Sequence, residues 1–143
     1  MYGKYPRTID SKNRVMLPSK LRDNLGSKFY MTIGMENMVE LRSQSEFDNF
    51  ASKLNQQSNF DPKARMLKRL WLGNTQEIET DSQGRFVIPK QFLDKAAIQK
   101  DVIFVGMGNL VELWSLEKLT AYDEEISVEE MNAAAMHLTD KDF

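Results

Sequence analysis

The sequence predicts an α+β protein, mainly β, that is assembled from two tandem copies of one unit. A nine-residue phrase, DSKNRVMLP at residues 10–18, returns at residues 81–89 as DSQGRFVIP. An eight-residue phrase, GMENMVEL at residues 34–41, returns at residues 106–113 as GMGNLVEL. The two phrases keep their order and, within one residue, their spacing. A duplicated unit leaves this pattern in a sequence.

Each unit opens with a predicted hairpin. In the first unit, Tyr5–Ile9 and Arg14–Leu17 are two short strand-like runs, separated by a tight turn that starts at Asp10. Asn13 and its counterpart Gly84 occupy the same turn position, and these residue types adopt a positive φ most readily. The aspartate that starts each turn is expected to accept hydrogen bonds from backbone amides two residues further on. We therefore expect two stiff, similarly oriented loops.

A short helix follows this hairpin in each unit. Pro18 and Pro89 end the returning strands, and proline fits the start of a helix because its missing N–H is not needed there. The predicted helices are SKLRDNL and KQFLDKA, and Gly26 is the expected C-terminal cap of the first.

A second hairpin and a longer helix complete each unit. The apolar runs Phe29–Gly34 and Val102–Gly106 each lead through a Gly/Asn turn into a return strand that reads VEL. Ser43 and Ser115 then stand where an N-cap residue begins a helix. The predicted order is strand, strand, helix, strand, strand, helix, written twice.

A linker helix is predicted between the units. Asp61 is its expected N-cap, and Gly73 ends it. Its apolar stripe is expected to pack in the core or between the units, and comprises Met66, Leu67, Leu70 and Trp71. The chain then divides into a first repeat, a linker helix, a second repeat and an acidic C-terminal segment, at residues 1–60, 61–73, 74–126 and 127–143.

The composition excludes several classes of protein. Hydrophobic residues make up 41% and charged residues 28% of the 143 positions, as in ordinary globular chains. No apolar run is long enough to span a bilayer and no signal peptide is evident, so we expect a cytoplasmic protein. The absence of cysteine excludes disulfides and thiolate chemistry. His137 is the only histidine and has no partner for catalysis, so we predict no enzyme, no metal and no cofactor.

Charge is distributed unevenly along the chain. Residues 1–22 carry a local balance of +5 and residues 121–143 one of −6, although the formal net charge is only −2. This asymmetry permits a basic functional face and an acidic solvated tail on one molecule. Ordinary solvated surface accounts for the same counts, and both interpretations stay open. For the acidic segment, packing and solubility are both open as roles.

The two Asp-x-x-x-Arg loops are the strongest candidates for function. Lys12, Arg14 and Arg85 are expected at or beside the loop tips, where an arginine fork can bind the edge of guanine and lysine can neutralise phosphate. Alternatively, Asp10 and Asp81 form only structural ion pairs with the two arginines. The two interpretations are compatible, because such a pair can also orient the arginine.

The stretches YPRTIDSKNRVMLPSKLR and DSQGRFVIPKQF resemble the MraZ family, tandem-repeat members of the AbrB/SpoVT superfamily of bacterial transcription regulators. The resemblance extends from the first residue to about residue 126. It implies a swapped-hairpin, AbrB/SpoVT-like β-barrel built from both halves and a ring-shaped homo-oligomer. It also implies sequence-specific binding to double-stranded DNA with repeated short elements, upstream of the cell-division and cell-wall gene cluster, and hence a nucleoid-associated protein.

The resemblance places the two Asp-x-x-x-Arg motifs against DNA. Two positions depart from the family pattern: Asn13 stands where glycine is usual, and Gln83 replaces a lysine-like residue. The second loop is therefore expected to be less basic and to contact DNA less strongly. Charge alone adds three weaker phosphate-contact candidates in the first repeat. The complete predicted set is Arg7, Asp10, Lys12, Asn13, Arg14, Lys20, Arg22, Asp81, Gln83 and Arg85.

The alternative function is an oligomeric protein-interaction module that does not bind DNA. In that case the Asp–Arg pairs only hold the loops in shape. Salt separates the two hypotheses, because DNA binding weakens steeply with rising salt and an apolar protein interface does not.

Overall fold

The computed structural model describes residues 1–140, so the last three residues of the predicted acidic segment lie outside it. The strands, β1 to β8, are Tyr2–Thr8, Arg14–Met16, Lys28–Ile33, Val39–Ser43, Gln76–Glu79, Arg85–Val87, Asp101–Met107 and Val111–Ser115. The α-helices, α1 to α6, are Ser19–Leu25, Gln44–Asn55, Pro62–Leu67, Lys90–Lys95, Leu116–Glu124 and Val128–Thr139. A π-helical turn spans Lys68–Leu72. Across these residues, no helix has both the length and the apolar character needed to cross a membrane.

The strands of the two repeats are interleaved. A six-stranded antiparallel sheet has the order β1-β7-β8-β4-β3-β5, and β2 pairs with β6 in a separate two-stranded ribbon. Strand β1 of the first repeat pairs with β7 of the second, and β5 of the second repeat pairs with β3 of the first. The predicted α+β, mainly β fold and its exchange of strands between halves are confirmed. Within residues 1–140, β1 and β5 remain the sheet edges, so strand pairing closes no barrel.

The prediction that β1 and β2 pair with each other is wrong. The backbone does turn between them, since the amide of Asp10 donates to the Arg14 carbonyl at 2.9 Å, but the two strands share no ladder. Alternation of apolar and polar residues identifies a strand and does not identify its partner. Pairing across the repeats lets Val15 and Phe86 enter one common core. The second hairpins, β3–β4 and β7–β8, are paired as predicted.

The core joins both repeats beneath the ribbon. Phe86 of β6 packs edge-on against Phe29 of β3 and Phe104 of β7, with ring centroids 5.3 and 6.3 Å apart. All three rings are buried. Aromatic contacts of this kind stabilise by about 0.5–1.5 kcal/mol beyond the burial of their area. The ribbon is therefore anchored from below by residues of both halves.

The predicted helix caps are present. The hydroxyl of Ser43 accepts from the amide of Glu46 at 3.3 Å, and that of Ser115 from the amide of Lys118 at 3.2 Å. Helices α1 and α4 begin directly after the two prolines, and Gly26 ends α1 with a φ of 79°. Short-range sequence signals therefore located these helix ends correctly.

The linker helix begins as predicted and then departs from regular α geometry. Asp61 caps α3 by accepting from the amide of Lys63 at 2.9 Å. The helix continues into the π-helical turn, which no sequence signal indicated. Trp71 in this turn packs against Phe50 of α2, with ring centroids 5.8 Å apart.

The apolar stripe of the linker helix packs only along one edge, so the prediction that the stripe packs in the core or between the units is confirmed only in part. Leu67 and Trp71 are half-buried, whereas Met66 and Leu70 are 49% and 48% exposed. The helix lies on the surface of the sheet, so the edge that carries Met66 and Leu70 faces solvent.

Helix α6 forms in the acidic segment, whose structure the sequence analysis left open. Its N-cap is Ser127, whose hydroxyl accepts from the amide of Glu130 at 3.0 Å. A serine followed three residues later by glutamate is a helix-start signal. Every residue of α6 is exposed.

Candidate nucleic-acid interface

The first loop, residues 10–13, is built around one aspartate. Oδ1 of Asp10 accepts from the backbone amides of Lys12 and Arg14, each at 2.9 Å. Oδ2 of the same carboxylate accepts from Nε of Arg14 at 2.8 Å. Asn13 supplies the positive φ, 60°, that closes the turn. One side chain therefore fixes both the backbone of the loop and the direction of its arginine.

The second loop, residues 81–84, repeats this arrangement. Oδ1 of Asp81 accepts from the amides of Gln83 and Arg85 at 2.9 Å, and Oδ2 accepts from Nε of Arg85 at 2.9 Å. Gly84 takes the place of Asn13 with a φ of 79°. The repeated letters therefore encode a repeated hydrogen-bond network.

The aspartates are held in their ionised form. Hydrogen bonding from the backbone amide of Arg14 is the largest cause that lowers the pKa of Asp10, and the Arg14 side chain adds to it. The amide of Arg85 lowers the pKa of Asp81 in the same way. Both carboxylates therefore stay charged well below neutral pH.

The outer nitrogens of the two arginines form no hydrogen bond or ion pair among residues 1–140. In the hydrogen bonds and ion pairs formed among residues 1–140, Arg14 and Arg85 use only Nε of their side chains. The Nη1 and Nη2 atoms form the fork that binds phosphate or the guanine edge bidentately. An arginine fixed at Nε loses less side-chain entropy when it binds, because its direction is already set.

The antiparallel ribbon places the two loops at its opposite ends. The amide of Leu17 donates to the Gly84 carbonyl at 3.0 Å, and the amide of Ile88 donates to the Asn13 carbonyl at 2.9 Å. These reciprocal bonds relate the loops by an approximate two-fold axis through the ribbon. Because Val15 and Phe86 face the core, Arg14 and Arg85 both lie on the outer face of the ribbon, one near each end.

Two residues outside the predicted set, Met16 and Val87, also lie on the outer face of the ribbon. Arg14 lies opposite Val87 and Arg85 lies opposite Met16, while Val15 and Phe86 point into the core. Met16 and Val87 are exposed between the arginines. The sequence did contain a signal for these two residues. Each is the middle residue of a run of three apolar residues, VML or FVI, and because side chains alternate along a strand, the middle one must face away from the core.

Arg22 of the first repeat lies against the second loop. Its Nε donates to the Leu17 carbonyl at 2.9 Å and its Nη2 lies 3.0 Å from the sulfur of Met16. The guanidinium also lies against Gly84 of the second loop. This placement links the two repeats and suits a positioning role.

The remaining predicted residues are more scattered. Lys12 and Gln83 are exposed at matching positions of the two loops, and Lys20 is exposed in the first turn of α1. Arg7 lies in β1, where it is half-buried and its Nη1 donates to the Pro6 carbonyl at 2.7 Å. Neither Arg7 nor Lys20 shares a hydrogen bond with the loops in the described part of the chain. The residues brought together are Asp10, Lys12, Asn13, Arg14, Arg22, Asp81, Gln83 and Arg85.

The described residues offer no metal centre to compete with this surface. No group of three or more histidine, aspartate or glutamate side chains within residues 1–140 is arranged to hold a metal ion.

Comparison with known proteins gives the chain a family. The family model described as "MraZ protein, putative antitoxin-like" matches twice, over residues 1–70 and 71–142. The transcriptional regulator MraZ of Mycoplasmopsis pulmonis is 44% identical, with 96% of this chain and 94% of the relative covered. The protein of the same name from Mycoplasma mobile is 42% identical, with 92% of this chain and 92% of the relative covered. That of Caldanaerobacter subterraneus is 40% identical, with 92% of this chain and 93% of the relative covered. Because the family model covers both halves and these relatives match nearly the whole length, the chain belongs to the MraZ family.

Proposed function

We propose that this protein is a sequence-specific DNA-binding transcription regulator that reads repeated short promoter elements with its two Asp-x-x-x-Arg loops. Its curated relatives carry the name of a transcriptional regulator, which is not an enzyme class. The target elements in this proposal lie upstream of the cell-division and cell-wall gene cluster. The protein then acts in the cytoplasm, associated with the nucleoid.

The orientation of Arg14 and Arg85 is the observation that supports this proposal most strongly. Arg14 and Arg85 are each fixed at Nε by an aspartate, and their outer nitrogens face away from the core on adjacent strands. A two-stranded ribbon of this size fits the major groove of B-form DNA, where arginine reads the O6 and N7 atoms of guanine. The ion pairs and the DNA contacts are therefore compatible in this proposal, because the aspartate that pairs with each arginine also orients it towards DNA.

The other residues of the surface take distinct roles in this proposal. Lys12 neutralises a phosphate beside the groove, and Gln83 offers only a neutral hydrogen bond at the matching position. Met16 and Val87 supply apolar contact suited to a thymine methyl group. Arg7, Lys20 and Arg22 are secondary, as phosphate contacts or, for Arg22, as a support of the second loop. The first loop therefore carries more of the affinity than the second.

Repetition compensates for the small size of one ribbon. A single ribbon makes few phosphate contacts, and such binding is weak and sensitive to salt. If protomers assemble head to tail into a closed ring, neighbouring ribbons meet neighbouring DNA elements, and avidity raises affinity by roughly 10² to 10⁴. Residues 1–60 and 74–126 are the DNA-reading repeats in this proposal, residues 61–73 join them, and residues 127–143 lie outside the DNA interface.

The salt dependence of binding tests this function against a protein-interaction module. A labelled duplex from upstream of the protein's own gene is titrated beside a scrambled duplex, and fluorescence anisotropy is read at 50 and 200 mM salt. For about four phosphate contacts the affinity should fall by more than roughly 100-fold over this range, and the native duplex should bind more tightly than the scrambled one. Absent binding, or equal binding to both duplexes, would reject sequence-specific recognition and favour the interaction module.

A further inference from the structure

The outer face of the ribbon carries one sulfur atom. The sequence has nine methionines and no cysteine, so the thioether is the sulfur group that a mild oxidant can modify reversibly in this chain. Of the nine, only Met16 belongs to the ribbon strands, and Val87 occupies the matching position in the second repeat. Met16 is 37% exposed, so a small oxidant in solvent has access to it.

The sulfur of Met16 is in contact with Arg22. Nη2 of Arg22 donates to this sulfur at 3.0 Å, while Nε of the same guanidinium donates to the Leu17 carbonyl at 2.9 Å. A β-carbon on Gly84 would stand 2.6 Å from the same Nη2, so the guanidinium is also in close contact with the second loop. An oxygen atom added between the sulfur and Nη2 must therefore displace one of them.

A second arginine lies across the ribbon from the same methionine. Met16 is paired with Arg85, and paired residues of antiparallel strands project from the same face with their β-carbons about 4.5–5.5 Å apart. The Nη1 and Nη2 atoms of Arg85 form no hydrogen bond or ion pair among residues 1–140. A thioether sulfur is only a weak acceptor, so the reduced side chain leaves these nitrogens to DNA.

We propose that Met16 is an oxidation site through which a peroxide switches off DNA binding, with Arg22 and Arg85 as the hydrogen-bond donors to the sulfoxide. The inference rests on the proposed function and names a regulation of the same surface. A sulfur lone pair attacks one oxygen of hydrogen peroxide, and the S–O bond forms as the O–O bond breaks. The departing hydroxide takes the proton of the new oxygen and leaves as water. Sulfur is oxidised by two electrons, which the peroxide accepts.

The added oxygen weakens DNA binding in either direction that it takes. Towards Arg22, it pushes the guanidinium away from Gly84 and removes a support of the second loop. Towards solvent, it puts a polar acceptor in place of an apolar contact and competes with DNA for the outer nitrogens of Arg85. Two reductases, one for each sulfoxide epimer, restore the thioether, so the change is reversible.

Peroxide treatment of the full-length protein tests the inference. Wild type, Met16→Leu and Met35→Leu are treated with dilute hydrogen peroxide, and each is compared with its own untreated sample by anisotropy on the native duplex. Met35 is 80% exposed and lies between β3 and β4, so its variant is the matched control for the loss of an exposed methionine. Mass spectrometry of the tryptic peptide VMLPSK, residues 15–20, measures oxidation at Met16, which is its only methionine.

Oxidation of Met16 should lower the DNA affinity of wild type and of Met35→Leu by roughly tenfold or more, because a charge-assisted contact is lost. Treatment with both reductases should restore the affinity. The affinity of Met16→Leu should change by less than about twofold on the same treatment. A second readout needs no DNA: the NMR resonance of Nε of Arg22 should move when the free wild-type protein is oxidised, and should stay in place in Met16→Leu.

Four outcomes would overturn the inference. They are full oxidation of Met16 with unchanged affinity, an equal loss of affinity in treated Met16→Leu, a Met16 that stays reduced while Met35 is fully oxidised, and an Arg22 resonance that does not move. Failure of the proposed function looks different, because untreated wild type would then bind native and scrambled duplexes equally. The switch would fall with that function, and the resonance of Arg22 in the free protein would still decide whether the sulfoxide binds this arginine.

Discussion

The guanidinium of Arg22 lies directly against Gly84, although the two residues belong to different repeats. A β-carbon on Gly84 would stand 2.5 Å from Cζ of Arg22. Arg22 is held in this place by the bond from its Nε to the Leu17 carbonyl. In the second repeat the corresponding residue is Leu93, so only one of the two loops is supported by an arginine from the other repeat.

Replacement of Gly84 by alanine is expected to destabilise the protein by about 1–3 kcal/mol, because a side chain is strained at its φ of 79°. Part of the loss should come from displacement of Arg22. A double-mutant cycle with Arg22→Ala, followed by urea unfolding, isolates that part, and we expect a coupling of about 0.5 kcal/mol or more. Strictly additive losses would show that the contact between the two residues contributes nothing.

The carboxylate of Asp10 should titrate below the usual range of aspartate, and so should that of Asp81. Because their pKa values are lowered in the folded state, their contribution to stability is present above the usual aspartate pKa and is lost as pH falls through the lowered value. In Arg14→Ala the pKa of Asp10 should rise only in part, since alanine keeps the amide that is the main cause. NMR of side-chain carboxyl carbons measures both, with Asp81 as the internal control. A full return of Asp10 to its usual pKa would contradict the dominant role of the amide.

The contrast between α1 and β1 shows how much of the fold the sequence predicts. Pro18 and Gly26 bracket α1 by local chemistry, and the observed helix occupies the predicted residues. Strand β1 was predicted at Tyr5–Ile9 and is observed at Tyr2–Thr8, paired with β7 about a hundred residues away. Strand pairing depends on the burial of a shared core, and local periodicity carries no information about it.

The candidate site also has features that the local sequence predicts and features that depend on packing between the repeats. The Asp-x-x-x-Arg spacing predicted which side chains meet within each loop, because the turn fixes their distance. The contact of Arg22 with Gly84 and the outward placement of Met16 and Val87 depend on how the repeats pack together. Helix α6 was not predicted because an acidic composition is common to solvated coil and to exposed helix, and only the cap at Ser127 distinguishes the two.

Replacement of Glu112 by glutamine is expected to stabilise the protein at neutral pH. Glu112 pairs across the sheet with Glu40, and its pKa is raised, chiefly by burial and further by Glu36 and Glu40. Glutamine keeps an acceptor for the indole of Trp114, which donates to Glu112 at 2.9 Å. The gain should be at most about 1 kcal/mol, since solvent still screens this half-buried group.

The pH dependence of the stabilisation tests whether the charge of Glu112 is its cause. A carboxyl group with a raised folded-state pKa contributes stability below its unfolded-state pKa, and the contribution is lost as pH rises through the folded value. The advantage of Glu112→Gln should therefore be largest near pH 7 and vanish in acid. Thermal unfolding across pH measures it, with the exposed Glu79→Gln as control. An advantage that stays constant with pH would point to packing rather than charge.

Exchange of the tip residues should transfer phosphate contact between the two loops. Lys12→Gln is expected to reduce the salt slope of DNA binding by about one, and Gln83→Lys to increase it by about one, with the preference for the native duplex unchanged in both. Anisotropy titrations at several salt concentrations give the slopes. A lysine introduced at position 83 that leaves the slope at its wild-type value would place the second loop away from the phosphates.

The most direct test of the central claim is the effect of Arg14 on base preference. Anisotropy is measured with the native duplex and with duplexes that carry single base-pair changes, for wild type, Arg14→Ala, Arg14→Lys and the exposed control Lys53→Ala. We expect Arg14→Ala to cost on the order of 1–3 kcal/mol and to flatten the preference at one base pair. Lysine should restore part of the affinity and little of the preference, because it lacks the fork. Wild-type affinity and preference in Arg14→Ala would contradict the account, and would leave the two Asp–Arg pairs as structural elements of the loops.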